Sequence, residues 1–261
     1  MSPLLTLLAG VAGTAVLLAA VWAVQLRTRN AGLVDAVWSW CLGGLGVFCA
    51  AVGTAPAGTR LLLAVLSGVW GLRLGTHLLL RNHGKPEDGR YRRFREQWGG
   101  RADFNLFWFF QLQALFAGAL SVGFLPVAFR PDAPGAAALA AACALWLAAV
   151  AGEGLADWQL ERFKQDPANR GQVCRRGLWR YSRHPNYFFE CLHWLAYLPL
   201  ACGAPLWWLA LAPPAVMAFL LLKMSGIPLT EAHLAQSRPG YAEYVRTTSA
   251  FVPWPPKRRE G

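Results

Sequence analysis

Residues 3–26 read PLLTLLAGVAGTAVLLAAVWAVQL, and Arg27-Thr28-Arg29 follow at once. The stretch holds no charged side chain and is longer than the roughly 20 mostly apolar residues with which a helix crosses a bilayer. Six further runs, 31–54, 58–80, 105–129, 135–156, 185–203 and 205–223, repeat the pattern or come close to it. Several carry Leu, Ala, Val and Trp around the whole helix circumference, as helices that face lipid or are buried on all sides do. Composition agrees: of 261 residues, 55% are hydrophobic and only 15% charged, with 13 Trp. A soluble domain has roughly 45–50% apolar and about 25% charged residues. The expectation is an all-α polytopic membrane bundle of about seven transmembrane helices, with residues 1–261 forming a single integral membrane domain. A disordered chain is excluded.

The 25 Lys and Arg outnumber the 14 Asp and Glu, a formal net charge of +11, and their placement sets the topology. Arg27 and Arg29 follow the first run, and Arg81, Lys85, Arg90, Arg92, Arg93, Arg95 and Arg101 follow the third. Arg162, Lys164, Arg170, Arg175, Arg176, Arg180 and Arg183 follow the fifth, and Lys223, Arg238, Arg246, Lys257, Arg258 and Arg259 fill the tail. The alternate loops hold only Arg60, only Arg130, and no basic residue at all. Every second loop is therefore basic, which predicts an outside N-terminus and a cytoplasmic C-terminus, with cytoplasmic segments 81–104, 157–184 and 224–261. A nucleic-acid binder would instead gather its basic residues in a solvated patch over an ordinary core. Met1-Ser2-Pro3 offers no positive segment ahead of the first run, so that run reads as a retained anchor and not a signal peptide. Six cysteines, at 41, 49, 143, 174, 191 and 202, show no metal-ligand spacing and read as apolar fillers; no metal is expected.

Ionisable groups inside spans are costly unless paired or solvated, so each is a functional candidate. Asp35 lies one turn into the second run; Arg73 and His77 share a face of the third, and Glu153 and Asp157 share one at the end of the fifth. Glu190 and His193 open the sixth, and Glu231 follows the seventh. Arg73 is positioned to neutralise Asp35 across a helix interface. The run Arg90-Tyr91-Arg92-Arg93-Phe94-Arg95 reads first as an interfacial anchor. The segment 175–190, RRGLWRYSRHPNYFFE, is richer: Arg183, His184, Asn186, Tyr187 and Glu190 cluster where a span begins, and Pro185 suits the first helical turn. Free backbone N–H groups at that helix start, beside Arg176 and Arg183, suit an anionic ligand, and Trp179, Tyr181 and Tyr187 offer flat rings for stacking.

The motif at 177–190, GLWRYSRHPNYFFE, resembles that of the steroid 5-alpha-reductase-like family, in its bacterial DUF1295 branch. Val34-Asp35-Ala36-Val37-Trp38, Trp70-Gly71-Leu72-Arg73-Leu74, Glu87-Asp88-Gly89-Arg90-Tyr91 and the tail from Tyr241 to Pro253 agree in order along nearly the whole chain. The resemblance implies an NADPH-dependent oxidoreductase of the 3-oxo-5-alpha-steroid 4-dehydrogenase type. Such an enzyme sits in a bacterial inner membrane, opens to the cytoplasm, and saturates a conjugated C=C bond of a steroid-like or other lipid substrate. It implies cofactor contacts at Asn186, Glu190, Asp157 and Lys164 and a carbonyl-facing carboxylate at Asp35; Arg176, Trp179, Arg183, His184, Tyr187, Glu231 and Tyr241 join the candidate cofactor set by their own positions. The steroid reductases carry Gln-Glu where this chain has Val34-Asp35, and a phenol in the third span where it has only Arg73 and His77; their tail motif survives as Glu231 and His233. His77, or Arg73 by its charge, is the candidate replacement for the phenol, and Asp35 acts either protonated, as a donor, or ionised and paired. Isoprenylcysteine and phospholipid methyltransferases share the Arg-His-Pro-x-Tyr element and bind S-adenosylmethionine, but carry Gly two residues after the Tyr, where this chain has Phe189.

Overall fold

The structure is a computed structural model, and it describes residues 1–257 apart from Ser225. Arg258, Arg259 and the side chain of His233 lie outside the described residues. Among the described residues every regular element is helical: α1 (Pro3–Thr28), α2 (Leu33–Val52), α3 (Ala57–Asn82), α4 (Gly89–Trp98), α5 (Ala102–Ser121), α6 (Leu125–Ala128), α7 (Ala136–Gln165), α8 (Pro185–Leu195), α9 (Tyr197–Ala201), α10 (Ala212–Phe219), α11 (Ile227–Ser237) and α12 (Tyr241–Thr247). Six helical stretches among the described residues are long and apolar enough to span a membrane: α1, α2, α3, the composite Gly89–Ala128, α7 and the composite Trp207–Ser237. The chain is thus an integral, multi-pass helical membrane protein in contact with lipid.

One expected span is interrupted. The run 185–203 does not form a single long helix; it divides into α8 and α9 with a break at Ala196. Pro199 supplies the reason: it has no N–H for the carbonyl of Leu195, and its ring crowds that carbonyl.

The chain divides into two compact units, Met1–Pro134 with Ala201–Pro213, and Gly135–Leu200 with the chain from Pro214 on. In the first unit, α2 and α3 pack backbone to backbone. A Cβ on Gly71 would stand 2.6 Å from the Cα of Gly43, and one on Gly75 would stand 2.4 Å from the Trp40 ring. Ser67, Gly71 and Gly75 recur every fourth residue, the small-residue stripe by which membrane helices approach closely. Helix α1 packs on α5 through Leu18 and Val21 against Leu106, Phe110 and Ala114. The two isolated arginines of the non-basic loops are used within the fold. Arg60 donates to the carbonyls of Ala55 (2.9 Å) and Ala50 (3.2 Å), satisfying groups at the end of α2, and Arg130 donates to the carbonyl of Asp132.

In the second unit, α7 and α8 pack with the Phe189 ring over Gly152, where a Cβ would lie 2.3 Å from that ring. The chain that leaves through α8 returns through α11, so that Glu231 stands beside Arg183 and His184. The segment before α8 and the tail after α11 therefore lie at one end of this unit. The tail binds that segment further: Ser182 and Ser249 form an isolated parallel bridge, Arg183 N–H donates to Ser249 (2.8 Å), and Trp254 N–H donates to Tyr181 (2.9 Å).

Candidate functional site

Asp35 sits in the first turn of α2, where the positive helix end favours a carboxylate. Its Oδ1 accepts from the Tyr91 hydroxyl and its Oδ2 from Arg90 Nη2, each at 2.7 Å. These two residues, and not Arg73, are its partners. These contacts match the paired alternative for Asp35, with Arg90 in the place expected of Arg73. Arg73 and His77 lie half-buried on α3, one turn apart as their spacing requires.

The start of α4 holds the phenol in place. Asp88 caps the helix, its Oδ1 accepting from Arg90 N–H (2.9 Å) and Arg90 Nε (3.0 Å). Burial pulls the Asp88 carboxyl up, but the hydrogen bonds and charge of Arg90, with the charge of Arg81, outweigh it and hold the group below the usual carboxylate value. Glu87 accepts from Ala31 N–H (2.8 Å) and Arg95 Nε (2.9 Å), joining the approach to α2 to the same short helix. The run 90–95 is thus turned inward at Arg90, Tyr91 and Arg95, with only 2% of Tyr91 exposed. Reading that run as an interfacial anchor hid the phenol. The spacing of 91 and 95, one helical turn apart in the run following Glu87-Asp88, was the available signal.

In the second unit, α7 and α8 bring three of the expected cofactor residues together. Asn186 Nδ2 donates to Asp157 Oδ1 (3.3 Å), and Glu190, one turn further along α8 and buried, accepts from Trp194 Nε1 (3.0 Å). Pro185 opens α8 as expected. Arg183 and His184 are engaged within the protein. Arg183, 9% exposed, donates from Nε to Glu231 (2.8 Å) and from Nη1 to the carbonyls of Val245 (3.1 Å) and Thr248 (2.5 Å). His184 Nε2 lies 3.1 Å from the same Glu231 oxygen, and its ring stacks on Tyr187 at 5.3 Å. Burial holds the imidazole below its usual pKa, reinforced by the Arg183 charge and opposed by the hydrogen bond and charge of Glu231. Trp179 donates to the Ala156 carbonyl (2.9 Å) and is buried, as is Tyr241. These two stabilise the tail and the segment it covers.

Beside this cluster opens a cleft of about 590 Å³ lined by Phe163, Asn169–Arg176 apart from the buried Cys174, and Pro239 and Glu243 of the tail. Arg176 lines it. Lys164 is close enough for its charge, with that of Arg176, to act on the Cys174 thiol, which burial nonetheless pushes up.

No curated protein and no solved structure matches this chain. A family model described as "Protein of unknown function (DUF1295)" matches residues 21–248. That match runs from within α1 to the end of α12 and covers both clusters, so the chain belongs to the DUF1295 family.

Proposed function

We propose that the protein is a membrane-embedded, NADPH-dependent reductase of a conjugated C=C bond in a hydrophobic substrate, as its likeness to the steroid 5-alpha-reductases implies. The observation that carries the reading is the Asp35–Tyr91–Arg90 cluster, a phenol bonded to a charge-paired carboxylate in a largely apolar bundle. A polar group kept in such a setting is functional by default. This phenol comes from α4, where the likeness had led to one being sought in the third span.

A bound cofactor would supply a hydride to the β-carbon of an enone, and a proton from solvent would then complete the α-carbon and discharge the enolate. As the hydride moves, negative charge grows on the substrate oxygen, and a fixed donor in a dry site stabilises that charge more in the transition state than in the ground state. Tyr91 carries the donor hydroxyl, which would turn from Asp35 Oδ1 to the substrate oxygen as charge develops there, while Arg90 stays paired with the Asp35 carboxylate. The group set at the α7–α8 interface fits a carboxamide: Asn186 Nδ2 is a donor for its oxygen, and the Glu190 and Asp157 carboxylates are acceptors for its NH₂. The S-adenosylmethionine alternative calls for an open backbone at position 189, and there the Phe189 ring packs on Gly152. In this reading the basic segments 81–104, 157–184 and 224–257 face the cytoplasm of a bacterial inner membrane.

The test is mass spectrometry of small molecules released from detergent-purified protein, together with NADPH oxidation in the presence of enone lipids. Release of NADP(H) with enone-dependent oxidation is expected. Release of S-adenosylmethionine, or turnover that does not need the enone, would overturn the reading.

A further inference from the structure

Helix α5 carries two glutamines in its apolar middle, and they are used differently. Gln111 Nε2 donates to the Ala15 carbonyl of α1 (3.4 Å), so it serves the packing of those two helices. Gln113, two residues on, lies about 200° further round α5 and faces α2 and α4.

Three contacts place it at the phenol. Trp38 Nε1, on α2 one turn after Asp35, donates to the Gln113 carbonyl (2.9 Å). Phe109, one turn before Gln113, meets the Tyr91 ring edge to face, with centroids 6.3 Å apart. The Gln113 amide addresses the Tyr91 hydroxyl itself, as a donor. Because that hydroxyl already donates to Asp35 Oδ1 (2.7 Å), its oxygen is the acceptor toward Gln113, and the amide turns its NH₂ to the phenol.

An amide has two N–H groups. One addresses the phenol, and among the described residues no acceptor takes the other. Gln113 is half-buried and stands about 16 Å along α5 by helical rise, at mid-span, where an unused donor is costly. Neighbouring donors are committed: Trp38 Nε1 to the Gln113 carbonyl, Ser39 Oγ to the Asp35 carbonyl (2.9 Å), and Arg90 Nη2 to Asp35 and Asp88.

We infer that Gln113 is a catalytic residue, the second donor to the substrate oxygen, so that a ketone or aldehyde carbonyl held at Tyr91 receives two hydrogen bonds in place of one. Donation into the phenol oxygen also polarises the Tyr91 O–H and strengthens the bond that it makes. The inference rests on the reductase reading for the reaction, but the oxygen site can be measured without turnover.

The experiment records the carbonyl stretch of bound carbonyl-¹³C cholest-4-en-3-one and carbonyl-¹³C β-ionone by difference infrared spectroscopy of the full-length protein in detergent, beside thermal melts and NADPH oxidation. In the unaltered protein the stretch of a bound enone is expected below its value in hexane. It should move part of the way back in Gln113→Met and part of the way back in Tyr91→Phe, each variant keeping one donor. Gln113→Met is expected to lower kcat about 10²-fold with little change in KM, and Gln113→His, which returns an N–H, to recover part of both signals. A Gln113→Met protein that melts normally and leaves the stretch where the unaltered protein has it overturns the second donor. So does a Tyr91→Phe protein whose bound enone absorbs as in hexane, or failure of both enones to bind the unaltered protein. The two proposals fail separately. A Gln113-dependent stretch without NADPH oxidation keeps the oxygen site and removes the reductase, whereas enone reduction indifferent to Gln113 does the reverse.

Discussion

At the scale of single residues, Asp35 and Tyr91 show what chain order reveals and what it conceals. A carboxylate inside an apolar run is conspicuous in the sequence, but its partners lie 55 and 56 positions away, in a run whose basic composition masks the phenol. On the proposed reductase reading, removing that hydroxyl takes away the donor that would reach the developing oxyanion, so Tyr91→Phe is expected to lower kcat about 10²–10³-fold with little change in KM. Asp35→Asn should lower it in the same direction, since Arg90 and Tyr91 lose the charge that holds them. A Tyr91→Phe enzyme with normal kcat would remove the phenol from the chemistry. His184 yields a prediction on pH. Its folded pKa lies below the unfolded value of about 6.5, so the unfolded chain binds more protons as pH falls through that value. Stability is then complete above about pH 6.5 and is lost progressively below it. Thermal melts in detergent at pH 8 and pH 5.5 should show the lower Tm at pH 5.5, and His184→Gln should reduce that difference.

At the scale of helices, hydropathy located most elements but did not show how they meet. Ser67, Gly71 and Gly75 are unremarkable small residues in an apolar run until α2 is found lying against them. A Cβ at Gly71 would meet the backbone of Gly43, which cannot move aside, whereas one at Gly13 of α1 meets nothing within 4 Å. Gly71→Ala is therefore expected to destabilise the protein by about 1–3 kcal/mol. Gly13→Ala should be neutral or stabilising by about 0.5–1 kcal/mol, because a helix interior gains when glycine is replaced. Thermal unfolding of the two variants side by side decides the matter; equal Tm values would mean that α2 and α3 do not meet as described. The break between α8 and α9 teaches the converse lesson. Composition averaged over 185–203 reads as one span, but the missing N–H of Pro199 interrupts it locally.

At the scale of the whole molecule, the alternation of basic loops predicts which segments share a side, and α8 and α11 agree within their unit, since Glu231 returns to Arg183. A fluorescent protein fused at the C-terminus should therefore be bright, and alkaline phosphatase fused after Asp132 should be active. Phosphatase activity at the C-terminus would reverse the orientation. The sequence by itself determined the membrane class and the helical architecture and singled out polar residues in apolar runs, Asp35 among them, because hydropathy and charge are sums over neighbours in the chain. Only the tertiary structure decided partnership: that Asp35 belongs to Tyr91 and Arg90, and that Arg183 is spent on Glu231 and two tail carbonyls. Those assignments rest on contacts of about 3 Å between groups far apart in sequence, and no local average of composition contains them.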